Sequence, residues 1–65
     1  MNPKWIEKGD LVSTSINNIG HLDKVIVKSM PSCPNDVWIF EDADTGIIFY
    51  SNELFTVKLL EKDYL

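Results

Sequence analysis

The chain has 65 residues, 45% of them hydrophobic, and a formal net charge of −4. That length suits one domain and one core, and the apolar content excludes a disordered segment. A chain this short buries only about 60% of its unfolded surface, so its stability amounts to about a few kcal/mol.

The usual staples of small domains are missing from the sequence. Cys33 is the single cysteine, so no intramolecular disulfide can form. With His21 as the single histidine, no Cys/His set can hold a structural zinc. A free thiol suits a reducing compartment, and Met1 to Lys8 lacks the apolar stretch of a signal peptide. Apolar runs such as Ile47 to Tyr50 are too short to cross a bilayer. These features predict a soluble, cytoplasmic protein with no membrane partner. Charge is uneven: residues 1–32 carry four lysines and three acids, residues 33–65 two lysines and seven acids. Arginine is absent. A nucleic-acid partner, which wants a basic footprint and bidentate guanidinium contacts, is disfavoured.

The predicted elements follow in chain order. Residues 1–8 form an N-terminal arm, and Gly9-Asp10 ends it. Leu11 to Ser15 is β-prone and partly alternating, a first strand. Asn17-Asn18-Ile19-Gly20 signals a turn. Lys24 to Lys28 is the clearest strand, β-branched at its centre with lysines at its ends. Met30 to Asp36 reads as a loop, because Pro31 and Pro34 cannot both sit in a paired strand. Val37 to Phe40 is a third strand and Ile47 to Tyr50 a fourth. Asp42 to Gly46 joins them as a tight hairpin, with Gly46 available for a positive φ. Ser51 to Leu54 looks like one short 3₁₀ turn capped by Ser51 or Asn52. Phe55 to Leu60 alternates as a fifth strand, and residues 61–65 are a C-terminal tail. No segment sustains a helical apolar period. Five short strands leave exposed edges unless the sheet curls shut, so the predicted fold is an all-β, five-stranded small barrel over residues 9–60. The predicted core is Val12, Val25, Val27, Ile39 and Val57, with Leu22 and Leu54 closing the ends.

The order of these elements resembles the SH3-like barrels, including KOW-type barrels and the small phage and prophage barrels. The likeness rests on Gly9-Asp10-Leu11-Val12, on Ile19-Gly20-His21-Leu22, on the hairpin at Asp42 to Gly46, and on Ser51 to Leu54. The resemblance implies a fold more than a function, since such barrels bind peptides, nucleic acid, ribosomes or other proteins. Where peptide-binding SH3 domains carry an early aromatic run, this chain reads Leu-Val-Ser-Thr-Ser, which argues against a polyproline groove.

Candidate sites divide sharply. A lone His21 has neither the nucleophile nor the orienting acid a triad needs, and reads as a polar loop residue. Cys33 has no adjacent base to lower its pKa and reads as a small loop residue. Asp42 to Gly46, with Glu53 at the twelfth position, invites a calcium loop. Ile47 stands where that loop needs glycine, so a solvated tip is the better reading. No catalytic residue, metal or cofactor is expected. The third and fourth strands do not alternate, so both faces of their hairpin are apolar. Trp38, Phe40, Ile48 and Tyr50 read as one stripe, and Val37, Ile39, Ile47 and Phe49 as the other. Either the hairpin is buried on both sides, with Trp5 and the arm covering it, or one stripe is a protein-binding surface. On the second reading Trp38 anchors it, and Glu41, Asp42 and Asp44 steer a basic partner. The sequence therefore predicts a non-enzymatic protein-interaction module, a phage-type accessory or inhibitor protein acting on a host protein. Self-association would be an alternative use of the patch. The alternative class is a KOW-like nucleic-acid- or ribosome-associated module.

Overall fold

The computed structural model describes residues 5–16, 19–33 and 35–64. Residues 1–4, Asn17-Asn18 of the expected turn, Pro34 and Leu65 lie outside the described residues. Five strands form one antiparallel sheet: β1 (Leu11–Ile16), β2 (Gly20–Ser29), β3 (Trp38–Asp42), β4 (Ile48–Ser51) and β5 (Leu54–Glu61). Their order across the sheet is β4-β3-β2-β1-β5. No helix occurs among the described residues. The fold is all-β, as the sequence predicts, but the sheet is not closed. β4 and β5 are its two free edges.

β2 is longer than its β-branched centre suggests, at ten residues. Its first part pairs with β1 and its last part with β3, overlapping at Val25 and Ile26. Two irregularities let one strand serve both neighbours. The β1 register shifts between Val12 and Thr14, where Asp23 and Lys24 face one residue of β1. The β3 register shifts between Val27 and Ser29, at Lys28. Such bulges bend and twist a strand, here toward the core. As a result Leu22 and Val25, three apart, both join the core cluster.

That cluster consists of Ile6, Val12, Ile16, Leu22, Val25, Val27, Trp38 and Phe40. Phe49 of β4 and Leu54, Val57 and Leu59 of β5 pack against it. Side chains from both edge strands therefore meet one core, so the sheet curls although its edges do not pair. Ile6, 2% exposed, brings the supposed arm into the core. Of the predicted core, Val12, Val25, Val27 and Leu22 are buried, while Leu54 and Val57 are half-buried. Ile39 is half-buried outside the core cluster, on the other face from Trp38 and Phe40.

The expected 3₁₀ turn at Ser51 to Leu54 is instead a bend. The Ser51 hydroxyl donates to Glu53 O at 2.6 Å and accepts from Glu53 N at 3.2 Å. A serine side chain thus closes the turn that a helical hydrogen bond would have closed. The alternation predicted for Phe55 to Leu60 also breaks. The β1–β5 register shifts at Phe55 and at Leu60, so both are extra residues of bulges and stand exposed. The hairpin tip is as predicted. Gly46 has φ +77°, and its N–H donates to Asp42 O at 2.9 Å.

Val25 and Trp38 test this packing. Val25→Ala should cost about 1–3 kcal/mol, and Trp38→Ala about 3–5 kcal/mol, through lost burial and a residual cavity. The tryptophan change should leave the chain largely unfolded by circular dichroism. A well-folded Trp38→Ala protein would contradict the burial described above.

Candidate functional site

The β3–β4 hairpin is the segment on which the sequence places a binding surface. Its register is Trp38↔Ser51, Ile39↔Tyr50, Phe40↔Phe49 and Glu41↔Ile48. Directly opposed residues share a face, so the stripe expected from Trp38, Phe40, Ile48 and Tyr50 is not one surface. Trp38 and Phe40 point inward, 2% and 0% exposed, with rings stacked at 5.8 Å. They are core residues and cannot anchor a partner. Ile48 and Tyr50 lie on the other face beside Glu41 and Ile39, 41% and 62% exposed, and neighbouring Ile47 is 56% exposed. The pairing offset is one residue from the expected one, because strand order in the sequence fixes alternation within each strand but not which residue opposes which.

The acidic tip divides by role. Glu41 is 3.7 Å from Lys28 and half-buried. Asp42 Oδ1 accepts from Asp44 N at 2.8 Å and Thr45 N at 2.9 Å. Those N–H groups favour its charged form, outweigh partial desolvation, and lower its pKa. Asp42 therefore builds the turn that the calcium reading imagined as a ligand loop. Asp44 is exposed. Among the described residues no three His, Cys, Asp or Glu side chains converge to hold a metal ion.

The setting of His21 has no signal in the linear sequence. It lies in β2 rather than in a loop. Its Nε2 is 3.1 Å from Ser13 Oγ and from Asp23 Oδ1, and its Nδ1 is 3.2 Å from Ser15 Oγ. The serines come from β1 and reach His21 across the register Ser15↔His21, a cross-strand juxtaposition invisible at linear spacing. A serine, a histidine and an aspartate thus meet. The Asp23 side chain is 88% exposed and that of His21 56%, so water competes for both. β1, which carries both serines, is paired on both sides, with β2 and with β5. The group acts as a polar clasp between β1 and β2. His21 and Asp23 also border an open cleft of about 450 Å³ with Leu22, Lys24, Asp42 and Asp44. A smaller cleft of about 310 Å³ lies between Lys8, Gly9, Val27 and Lys28. Cys33 is exposed.

Among the described residues one charged side chain is fully buried. Asp10, 0% exposed, accepts from Glu7 N at 2.8 Å, Lys62 Nζ at 2.8 Å and Asp63 N at 3.0 Å. Lys62 also reaches Glu7 Oε1 at 3.0 Å and Trp5 O at 3.1 Å. Burial alone would raise the Asp10 pKa. The Lys62 ammonium and the two backbone N–H groups outweigh it, and the net shift is downward. The hydrogen bonds to Asp10 and Glu7 raise the Lys62 pKa. This is a structural lock that holds residues 5–10 to residues 62 and 63.

Comparison with protein-family models, curated proteins and solved structures gives no match.

The lock makes a pH prediction. A carboxylate with a depressed folded pKa stabilises the fold above its ordinary value of 3.8, and that contribution is lost as pH falls through the lower folded value. Asp10→Ala should cost about 2–4 kcal/mol near neutrality, because it removes hydrogen bonds to a charged acceptor. The melting-temperature gap between wild type and variant should narrow as pH drops below 3.8. Asp36 and Asp42, also lowered, act in both proteins and cancel from the gap. A gap constant with pH would show that Asp10 is not held charged.

Proposed function

We propose that this chain is a non-enzymatic protein-interaction module built on a small SH3-like barrel. What supports the barrel is the meander β1 to β4 with β5 returning beside β1, and a core shared by both edge strands. A phage-type accessory or inhibitor role comes to this reading through the resemblance alone.

The observation that carries the binding reading is the outer face at β4. Ile47, Ile48 and Tyr50 stand exposed in succession around one inward residue, Phe49. Scattered surface apolar residues are ordinary, but a contiguous set rimmed by charge marks an interaction site. Tyrosine is a favoured anchor there, offering apolar area with a polar tip at low entropic loss. Asp44 lies at the tip that leads into this strand and can steer a basic partner.

A KOW-like nucleic-acid role keeps one observation in its favour, the cleft between Lys8 and Lys28. Glu41 stands 3.7 Å from the Lys28 ammonium and offsets part of that charge. The net charge of −4 weighs further against it.

Ile48→Ser with Tyr50→Ser should leave the fold intact, since both side chains are solvent-exposed. The double variant should lose a protein that the wild type captures from host lysate, with an affinity loss of about 2 kcal/mol or more. Capture unaffected by both changes would remove this face from the reading. Retention on mixed nucleic acid that fades steeply with salt would favour the alternative.

A further inference from the structure

The two free edges of the sheet are not alike. β5 carries Lys58 and Glu61 and is broken by bulges at Phe55 and Leu60. Charges and bulges are the devices that stop an edge from pairing with another chain. β4, Ile-Phe-Tyr-Ser, has no charge, no proline and no register shift. It is protected only by its length of four residues.

The backbone at that edge is oriented. Asp42 N donates to Ile47 O at 2.8 Å. Antiparallel pairs alternate between bonded and non-bonded, so Phe40↔Phe49 and Trp38↔Ser51 are bonded pairs. Ile48 and Tyr50 fall at the non-bonded positions, and their N–H and C=O groups aim away from β3 at the open edge. The same two residues carry the exposed outer side chains. Charge then selects the occupant. Between Lys28 and Lys58 the chain holds Asp36, Glu41, Asp42, Asp44 and Glu53, and no basic residue. Asp44 precedes β4 and Glu53 follows it, both exposed. A second copy docked on this edge would set like charges together, whereas a cationic segment would be drawn to both ends.

We propose that β4 is a strand-addition edge that takes an extended, lysine- or arginine-bearing segment of a partner protein, bonded main chain to main chain at Ile48 and Tyr50. The inference rests on the interaction-module reading and specifies its mode: backbone pairing gives the affinity, apolar residues over Ile48 and Tyr50 and cations toward Asp44 and Glu53 give the selectivity. Four backbone groups make a short ladder, so the pairing is weak and salt-dependent.

The test uses the full chain, labelled with ¹⁵N, and the peptide acetyl-Lys-Lys-Val-Thr-Val-Thr-Lys-Lys-amide. Titration should slow amide hydrogen exchange at Ile48 and Tyr50, while Phe49, already bonded to β3, changes little. The version with glutamates for lysines should bind about tenfold more weakly or worse, as expected where like charges meet. A peptide N-methylated at alternate residues on its pairing edge should not bind. Ile48→Lys, which places a gatekeeping charge on the edge, should lower affinity for the basic peptide by about tenfold. Binding that shifts the Tyr50 ring without protecting the two amides would overturn strand addition and leave the outer-face reading standing. Equal binding of the acidic peptide, or no binding of any, would overturn it as well. Amide protection that grows with protein concentration alone would assign the edge to a second copy and overturn the partner assignment. Loss of the lysate partner in the Ile48→Ser, Tyr50→Ser protein reads the outer face separately, so the two failures are distinguishable.

Discussion

The buried carboxylate of Asp10 is the constraint on which the ends of this fold depend. A charge without solvent must find partners, and the partners here come from two stretches of chain. Glu7 N brings in the segment that carries Ile6 into the core, and Lys62 with Asp63 brings in the residues after β5. The Asp10 backbone adds a third tie, since its carbonyl accepts from Val27 N at 3.0 Å while Gly9 N donates to Val27 O at 2.8 Å. Gly9 holds φ +95°, a conformation that costs glycine little, and this allows the chain to enter β1 from that direction. Residues 5–10 and residues 62 and 63 are thereby fastened to one another and, through Gly9 and Asp10, to the central strand β2.

Fastening the ends fixes what is left open. β1 and β2 are interior, β3 is covered by β4, and β5 is held beside β1 along its length. Thr14, 0% exposed, adds a side-chain bond across that pair, its hydroxyl donating to Thr56 O at 2.7 Å. β4 is held by its hairpin, by the inward ring of Phe49 and by the buried Ser51, whose hydroxyl bonds to Glu53. The shortest strand, at four residues, is also the one with a free, uncharged edge. Elements of low local stability are where binding surfaces tend to be found, because a partner can adjust them at small cost.

The legible part of the fold was set by local chemistry. The β-branched Val25-Ile26-Val27 run, the glycine at 46 and the prolines of the 30–36 loop each announce their element without tertiary help. The illegible part was set by register. Trp38 and Ile48 are both apolar strand residues with apolar neighbours, and nothing in their spacing says that one faces Ser51 and the other Glu41. That follows from the length of the hairpin loop, and elsewhere in the sheet bulges at Lys28, Phe55 and Leu60 each shift the pairing by one residue. The meeting of Ser13, Ser15, His21 and Asp23 was hidden for the same reason. A cross-strand cluster has no linear signature.

The difference between burial and exposure in one hairpin explains why composition alone misleads here. A strand with apolar residues on both faces can be a buried strand or a half-covered one, and the sequence is the same in either case. What separates them is the number of layers available. Sixty-five residues make one sheet and one core. Curling that sheet buries Trp38 and Phe40 on the concave side with the half-buried Phe49 packed against them, and no second layer exists to cover Ile48 and Tyr50 among the described residues. On the β1–β2 side the outer face solves the same problem with Ser13, Ser15 and His21, side chains that water tolerates. On β4 it keeps isoleucine and tyrosine. That contrast, within one continuous sheet, locates the surface whose apolar character folding does not require.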